Sequence, residues 1–220
     1  AFLPAYLKVR FKVDDVVTTL LLNWVIIYLN SALLNGPWRD PISGWPYSPN
    51  IAAGAQLPNL IPRSRFHLGI VVAFVMAAIV WVILRQTTLG FQMRSVGANP
   101  AGANFAGISV GQTVLLTAII SGGIAGLAGA GEVCGVQYRL IEGLSPGYGY
   151  SGIVIAMLGG LHPIGVVLAA FLFGIIITGA QAMSRATGVP VFLADVIQGV
   201  TLLVMLAMLL LTQYRVRRIQ

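Results

Sequence analysis

Long apolar runs separated by short polar stretches dominate the chain. About 20 apolar residues of helix, rising about 1.5 Å each, cross a bilayer core about 30 Å thick. The pattern therefore predicts an all-α, polytopic membrane protein with about six transmembrane spans in this chain. The predicted spans are residues 13–34, 68–84, 110–131, 148–161, 164–183 and 191–212.

The fourth and fifth spans come from one uninterrupted region. Residues 143–184 contain no Lys, Arg, Asp or Glu, which suits two spans joined by a tight reversal. The sequence "GGLHPIG" at 159–165 supplies the break, because Pro163 cannot donate a backbone hydrogen bond. The fourth span is short for a complete crossing, so we predict a broken or re-entrant helix there.

Composition supports a membrane class. The 220 residues are 57% hydrophobic and 9% charged, against about 25% charged in soluble domains. The net charge of +7 comes from basic residues at the ends of apolar runs, which favours headgroup contacts over nucleic acid. We expect a single transmembrane domain over residues 1–220. Because the chain begins at Ala1 rather than at a methionine, we also expect it to be a fragment or a processed chain.

The distribution of Lys and Arg predicts the orientation, because cytoplasmic loops carry the excess. Six spans place both chain ends on one side, and that side carries more basic residues than the other. We therefore predict cytoplasmic chain ends and an external loop at 35–66. The cytoplasmic set is Lys8, Arg10, Lys12, Arg85, Arg94, Arg215, Arg217 and Arg218, and the external set is Arg39, Arg63, Arg65, Arg139 and Arg185.

The polar stretch "RQTTLGFQMRSVGANPAGANFAGIS" at 85–109, here called the connector, joins the second and third predicted spans. Its Arg and Asn side chains exclude it from lipid, and its Gly and Ala residues permit close approach to another surface. Asn99-Pro100 predicts a turn or helix start, followed by a short helix of small residues. From these residues alone, an ordinary basic inner loop explains the connector equally well.

The connector resembles the cytoplasmic coupling segment of bacterial ABC-importer permeases of the branched-chain amino acid and simple-sugar family. "DDVVTTLLLNW", "SGGIAGLAGAGEV", "GYGYSGIVIAMLGGLHPIGVVLAAFLFG" and "IQGVTLLVMLAMLL" resemble that family in the same order, over essentially the whole chain. "NGPWRDP" and "GVPVFLADVIQG" are similar to its nucleoside-type permeases. Members of the family usually carry further spans before the point where this chain begins, so the resemblance implies that this chain is the C-terminal part of a longer permease.

The resemblance implies a permease subunit that moves a small polar solute inward by alternating access. A nucleoside or simple sugar is the expected solute, and a branched-chain amino acid is the next choice. Implied partners are a cytoplasmic ATPase, a second permease subunit and an external solute-binding protein, in a bacterial inner membrane and without a cofactor. The implied ATPase-coupling residues are Arg94, Gly97, Asn99, Pro100 and Gly107; headgroup contact explains Arg94 equally well.

Enzyme chemistry finds no support in the sequence. Lys8 and Lys12 are the only lysines, and neither lies in a phosphate-binding G-x-x-x-x-G-K-[ST] loop. "GLSPG" at 143–147 fits the G-x-S-x-G pattern, but Pro146 lacks the N–H that an oxyanion hole needs at that position. His67 and His162 are isolated, so we predict no metal site.

Polar residues within the predicted spans are candidates for the translocation path, because such residues are costly in a bilayer. Interhelical hydrogen bonds or headgroup contacts explain them as well. If Asp195 titrates with transport, the alternative function is an ion-coupled carrier that works without an ATPase. A membrane scaffold without transport is a third class. The candidates are Asn23, Glu132, Tyr148, Asp195 and Gln198.

The third span is rich in glycine, and Gly122, Gly126 and Gly129 recur at helical spacing. Small residues at such spacing let helices pack backbone to backbone. We predict a helix-packing role for all three, with the wall of a solute path as the alternative.

Overall fold

The computed structural model describes residues 1–61, 66–145, 147–187, 192, 196–197, 199–201, 203–204 and 207–208. Their contacts form two compact units, Ala1–Pro146 and Gly147–Gln220, and each unit is described by itself. The helices are α1 (Phe2–Phe11), α2 (Asp15–Asn35), α3 (Leu68–Gln86), α4 (Thr88–Ala98), α5 (Pro100–Phe105), α6 (Val110–Glu132), α7 (Tyr148–Leu158) and α8 (Pro163–Thr187).

Four helices among the described residues are long and apolar enough to cross a membrane, namely α2, α3, α8 and α6 with its extension to Gln137. They match four of the predicted spans to within a few residues. The short fourth span is confirmed as the 11-residue α7. The sixth predicted span, 191–212, lies mostly outside the described residues. An all-α polytopic membrane protein is therefore confirmed.

Large apolar side chains cover the outside of these helices. In each of α2, α3 and α6, the most apolar stretch of 18 residues has no residue buried inside the protein. Such continuous apolar surface is unusual on a soluble monomer. It suits helices that face lipid or other helices.

In the first unit, α1 packs antiparallel to the first half of α6. A Cβ placed on Gly111 would lie 2.9 Å from the Val9 side chain, and one on Gly122 would contact Ala1. The Lys8 ammonium donates to the Asp15 carboxylate at 2.6 Å, which ties α1 to the start of α2. Glycine on α6 therefore allows α1 to approach closely.

In the second unit, α7 and α8 reverse direction through two very close backbones. A Cβ on Gly159 would lie 2.4 Å from the backbone nitrogen of Val166, so no larger residue fits there. Gly160 and Leu161 both adopt positive φ angles, 63° and 55°, which complete the turn. The break predicted at "GGLHPIG" is confirmed. Glycines at the break, as well as Pro163, make the reversal possible.

Candidate functional site

The connector begins at a tight corner between α3 and α4. Thr87 is the N-cap of α4: its Oγ1 accepts from the Gly90 N–H at 3.1 Å and donates to the Ile83 carbonyl at 2.6 Å. A Cβ on Gly90 would lie 2.7 Å from the Leu84 Cα, closer than side chains approach. The corner therefore requires glycine at position 90, and it fixes the direction in which α4 leaves the end of α3.

Asn99 joins α4 to α5 with two hydrogen bonds. Its backbone N–H donates to the Ser95 carbonyl at 3.0 Å. Its Oδ1 accepts from the Gly102 N–H at 3.0 Å, the usual N-cap contact. Pro100 follows at the first position of α5, where no N–H is needed. The short helix predicted after Asn99-Pro100 is confirmed.

The end of α5 is also fixed by local bonds. The Ile108 N–H donates to the Ala103 carbonyl at 3.0 Å, and the Ala106 N–H donates to the Gly102 carbonyl at 3.0 Å. Gly107 has a φ of 80°, which favours glycine and turns the chain toward α6. Local contacts within the connector and the last turn of α3 therefore fix each of its bends.

Most residues of the connector are exposed. Phe105 is 96% exposed and Phe91 is 59% exposed, while Ala103 is buried and holds α5 in place. Arg94 is exposed and forms no ion pair within the part of the chain that the structure describes. A Cβ on Gly97 would meet nothing within 4 Å. This surface is open to a partner.

The predicted coupling residues all lie within the connector, and their coupling role stays a prediction. Asn99, Pro100 and Gly107 shape its backbone, whereas Arg94 and Gly97 lie on its exposed surface. The sequence analysis missed α4 as a helix, together with the Gly90 corner and the exposed Phe105. Thr87, a residue type preferred at helix N-caps, is the signal for the start of α4.

The predicted path residues lie in different places. Asn23 lies near the middle of α2 with an exposed side chain. Glu132 ends α6, and its carboxylate accepts from the Gln137 amide at 3.1 Å. Tyr148 begins α7 in the second unit and is 47% exposed. Asp195 and Gln198 lie outside the described residues. Their path roles stay predictions.

The predicted packing glycines have different surroundings. Gly122 lies against Ala1, where α1 crosses α6. A Cβ on Gly126 or Gly129 would meet nothing within 4 Å. Gly122 therefore lies at a close contact within the first unit. The helix-packing role stays a prediction for all three glycines.

The opposite end of α6 carries a second ordered region, residues 36–61 together with 133–142. It is called the outer strap here after the external side that the sequence analysis predicts for residues 35–66. The Leu57 N–H donates to the Cys134 carbonyl at 2.8 Å, and the Ile51 N–H donates to the Tyr138 carbonyl at 2.9 Å. The Arg139 guanidinium lies 4.2 Å from the centre of the Tyr47 ring. The strap thus runs along the π-helical turn Val133–Gln137 that extends α6.

Glu142 anchors the outer strap to α2. Its carboxylate accepts from the Ser31 hydroxyl and, at 2.9 Å, from the Asn35 amide. His67 holds the start of α3 against the turn that extends α6. Its Nδ1 accepts from the Gly69 N–H at 3.1 Å, and its ring lies against Gly135. The sequence analysis predicted both histidines to be isolated. Within the described residues, no group of three or more His, Cys, Asp or Glu side chains is placed to hold a metal.

Apolar helices of membrane-spanning length, linked by an ordered polar connector, define a multi-pass α-helical membrane protein. The family described as "Branched-chain amino acid transport system / permease component" matches residues 1–209. The chain belongs to this family. Its description as a transport permease confirms the family that the sequence motifs resembled, and it supports a permease rather than an enzyme.

Individual relatives give the same result. The chain is 36% identical over 205 residues to a guanosine ABC transporter permease of Bacillus subtilis, covering 92% of this chain and 59% of the relative. A glucose ABC transporter permease of Haloferax volcanii is 32% identical over 226 residues, covering 98% and 60%. A nucleoside ABC transporter permease of Lactococcus lactis is 30% identical over 198 residues, covering 86% and 54%. No solved structure matches the chain.

The coverage limits what these relatives say about the whole protein. The chain spans between 54% and 60% of the lengths of these three relatives. We therefore treat the activity, the solute and the partners of the complete protein as proposals.

Proposed function

We propose that this chain is the membrane-spanning permease part of an ATP-binding-cassette importer. It moves a nucleoside or simple sugar inward by alternating access, in a bacterial inner membrane with both chain ends in the cytoplasm. Its partners are a cytoplasmic ATPase, a second permease subunit and an external solute-binding protein. The family match carries this proposal, because it runs through the connector as well as the apolar helices.

The connector supports an ATPase partner in physical terms. A motor that binds one segment transmits movement only if that segment is stiff and firmly joined to the spans. Caps at Thr87 and Asn99 stiffen the connector, and the Gly90 corner joins it directly to α3. Its exposed surface holds Phe105 and Arg94, which are residue types enriched at protein interfaces.

The names of the relatives guide the choice of solute. Two of the three relatives described above are named for guanosine or nucleosides and one for glucose. A nucleoside is therefore the first solute to test, glucose the second and a branched-chain amino acid the third.

The test is uptake by proteoliposomes that contain the full-length permease, its second subunit, the ATPase and the solute-binding protein. We expect uptake of labelled guanosine or glucose that requires ATP and stops when the ATPase is inactivated by mutation. Uptake driven by a proton or sodium gradient without the ATPase would instead identify an ion-coupled carrier. Absence of uptake for all three solute classes would contradict the proposed choice of solutes.

A further inference from the structure

A groove runs between α4 and α5 on the exposed side of the connector. Its volume is about 320 Å³, and no charged residue lines it. Ser95 and Asn99 supply the polar side chains, and the rest of the wall is largely carbon. The lining includes Phe91, Ser95, Asn99, Ala103, Ala106 and Ile108.

The groove is preformed. Asn99 fixes the angle between its two walls by capping α5, and Ala103, which is 4% exposed, anchors the floor. Little conformational freedom remains to be lost when a group enters, which favours binding. Its small volume, at the low end of the range for ligand pockets, suits one or two protein side chains.

The charge on the connector itself has one sign. Residues 85–109 include Arg85 and Arg94 but no Asp, Glu or Lys. Arg94 is exposed on α4 beside the groove residue Ser95 and forms no ion pair with any residue that the structure describes. A partner complementary to this surface therefore carries carboxylates around an apolar centre.

We propose that this groove receives one apolar side chain from the cytoplasmic ATPase, on a surface patch rimmed by Asp or Glu. This inference rests on the proposed function and adds the chemistry of the contact. A lipid surface fits less well, because membrane-surface helices show one basic, amphipathic face. The helix α5 has the sequence PAGANF, with one large apolar residue and no charge.

Two alanines of the connector give a matched test. Ala106 lines the groove, whereas Ala101 is exposed on α5 outside the lining. The affinity of the ATPase is measured for the complete transporter in nanodiscs, with Ala106→Leu, Ala101→Leu and the unchanged protein. Filling the groove should weaken binding about 10-fold or more. Ala101→Leu should stay within about twofold, and equal thermal unfolding of both variants shows that they fold.

A second measurement locates the incoming side chain. A fluorophore on Ala98→Cys, exposed next to the groove residue Asn99 but outside the lining, in a Cys134→Ser background, should shift toward the blue when the ATPase binds. The Arg94→Gln variant should bind the ATPase more weakly and with a smaller salt dependence, as expected when one charge pair is removed.

Several results would overturn the inference. Equal weakening by both leucine variants, or weakening by neither, would mean that the groove receives nothing from the ATPase. A fluorophore that responds to phosphatidylglycerol but not to the ATPase would identify lipid as the occupant. If the unchanged transporter did not bind the ATPase at all, the proposed function itself would fail, which is a separate outcome.

Discussion

The connector and the outer strap are both ordered polar segments beside apolar helices, but different kinds of hydrogen bond hold them. The connector is held by bonds that are local in sequence, such as Thr87 to Gly90 and Asn99 to Gly102. The outer strap is held by bonds between distant segments, such as Glu142 to Asn35. A segment shaped locally keeps its form while its surface binds a partner. The strap is instead part of the joint between α2 and α6.

The largest expected effect tests whether the connector depends on its corner. Gly90→Val would place carbon against the backbone of Ile83 and Leu84, where nothing can move aside. We expect a loss of about 3 kcal/mol or more in stability, seen as poor yield and a lower unfolding temperature. Gly97→Ala is the matched control in the same helix. Its Cβ meets open space, so stability should rise by about 0.5–1 kcal/mol. Equal stability of the Gly90→Val and Gly97→Ala variants would contradict the requirement for glycine at position 90.

The second effect separates the shape of the connector from its charge. Asn99→Asp keeps an N-cap oxygen for the Gly102 N–H but adds a negative charge to a basic surface. We expect ATPase affinity to fall at least about 10-fold with unchanged unfolding temperature. Asn99→Ser keeps the cap without the charge and should bind nearly normally. Normal co-purification of the ATPase with Asn99→Asp would argue against the predicted coupling role.

The third effect concerns the outer strap. Glu142→Ala removes the acceptor shared by Ser31 and Asn35, and should lower stability by about 1 kcal/mol because the site is exposed. Adding Asn35→Ala to that variant should cost less than Asn35→Ala alone, since both changes remove the same bond. Thermal unfolding of the four proteins of this cycle measures the coupling. Fully additive losses would show that the bond between Glu142 and Asn35 does not stabilise the protein.

The smallest effect is a pH response of the strap. The Ser43 hydroxyl donates to Asp40 at 2.6 Å and, with the Ile42 N–H, lowers the pKa of Asp40 below 3.8. These bonds therefore stabilise the loop above about pH 4 and are lost as the pH falls through the lowered pKa. A fluorophore on Ile42→Cys should report a transition below pH 3.8 that Ser43→Ala moves upward. An unshifted transition would exclude the Ser43 bond as its cause.

Sequence patterns predict the apolar helices well, because bilayer thickness fixes their length and charged residues mark their ends. They also predict the start of α5, because Asn99 and Pro100 act on the nearest turn of backbone. The pairing of residues 36–61 with residues 133–142 in the outer strap was not predictable, because Leu57 and Cys134 become neighbours only after α3 and α6 have packed. The groove was equally hidden, since it depends on the angle between α4 and α5.

The orientation of these two regions tests the account most directly. Single cysteines at Phe105, on the connector, and at Ile42, on the strap, are 96% and 94% exposed positions. In a full-length Cys134→Ser background, a membrane-impermeant maleimide should label Ile42→Cys in intact cells. It should label Phe105→Cys only after permeabilisation, and bound ATPase should protect that site. Labelling of Phe105→Cys in intact cells would contradict the proposal that a cytoplasmic ATPase binds the connector.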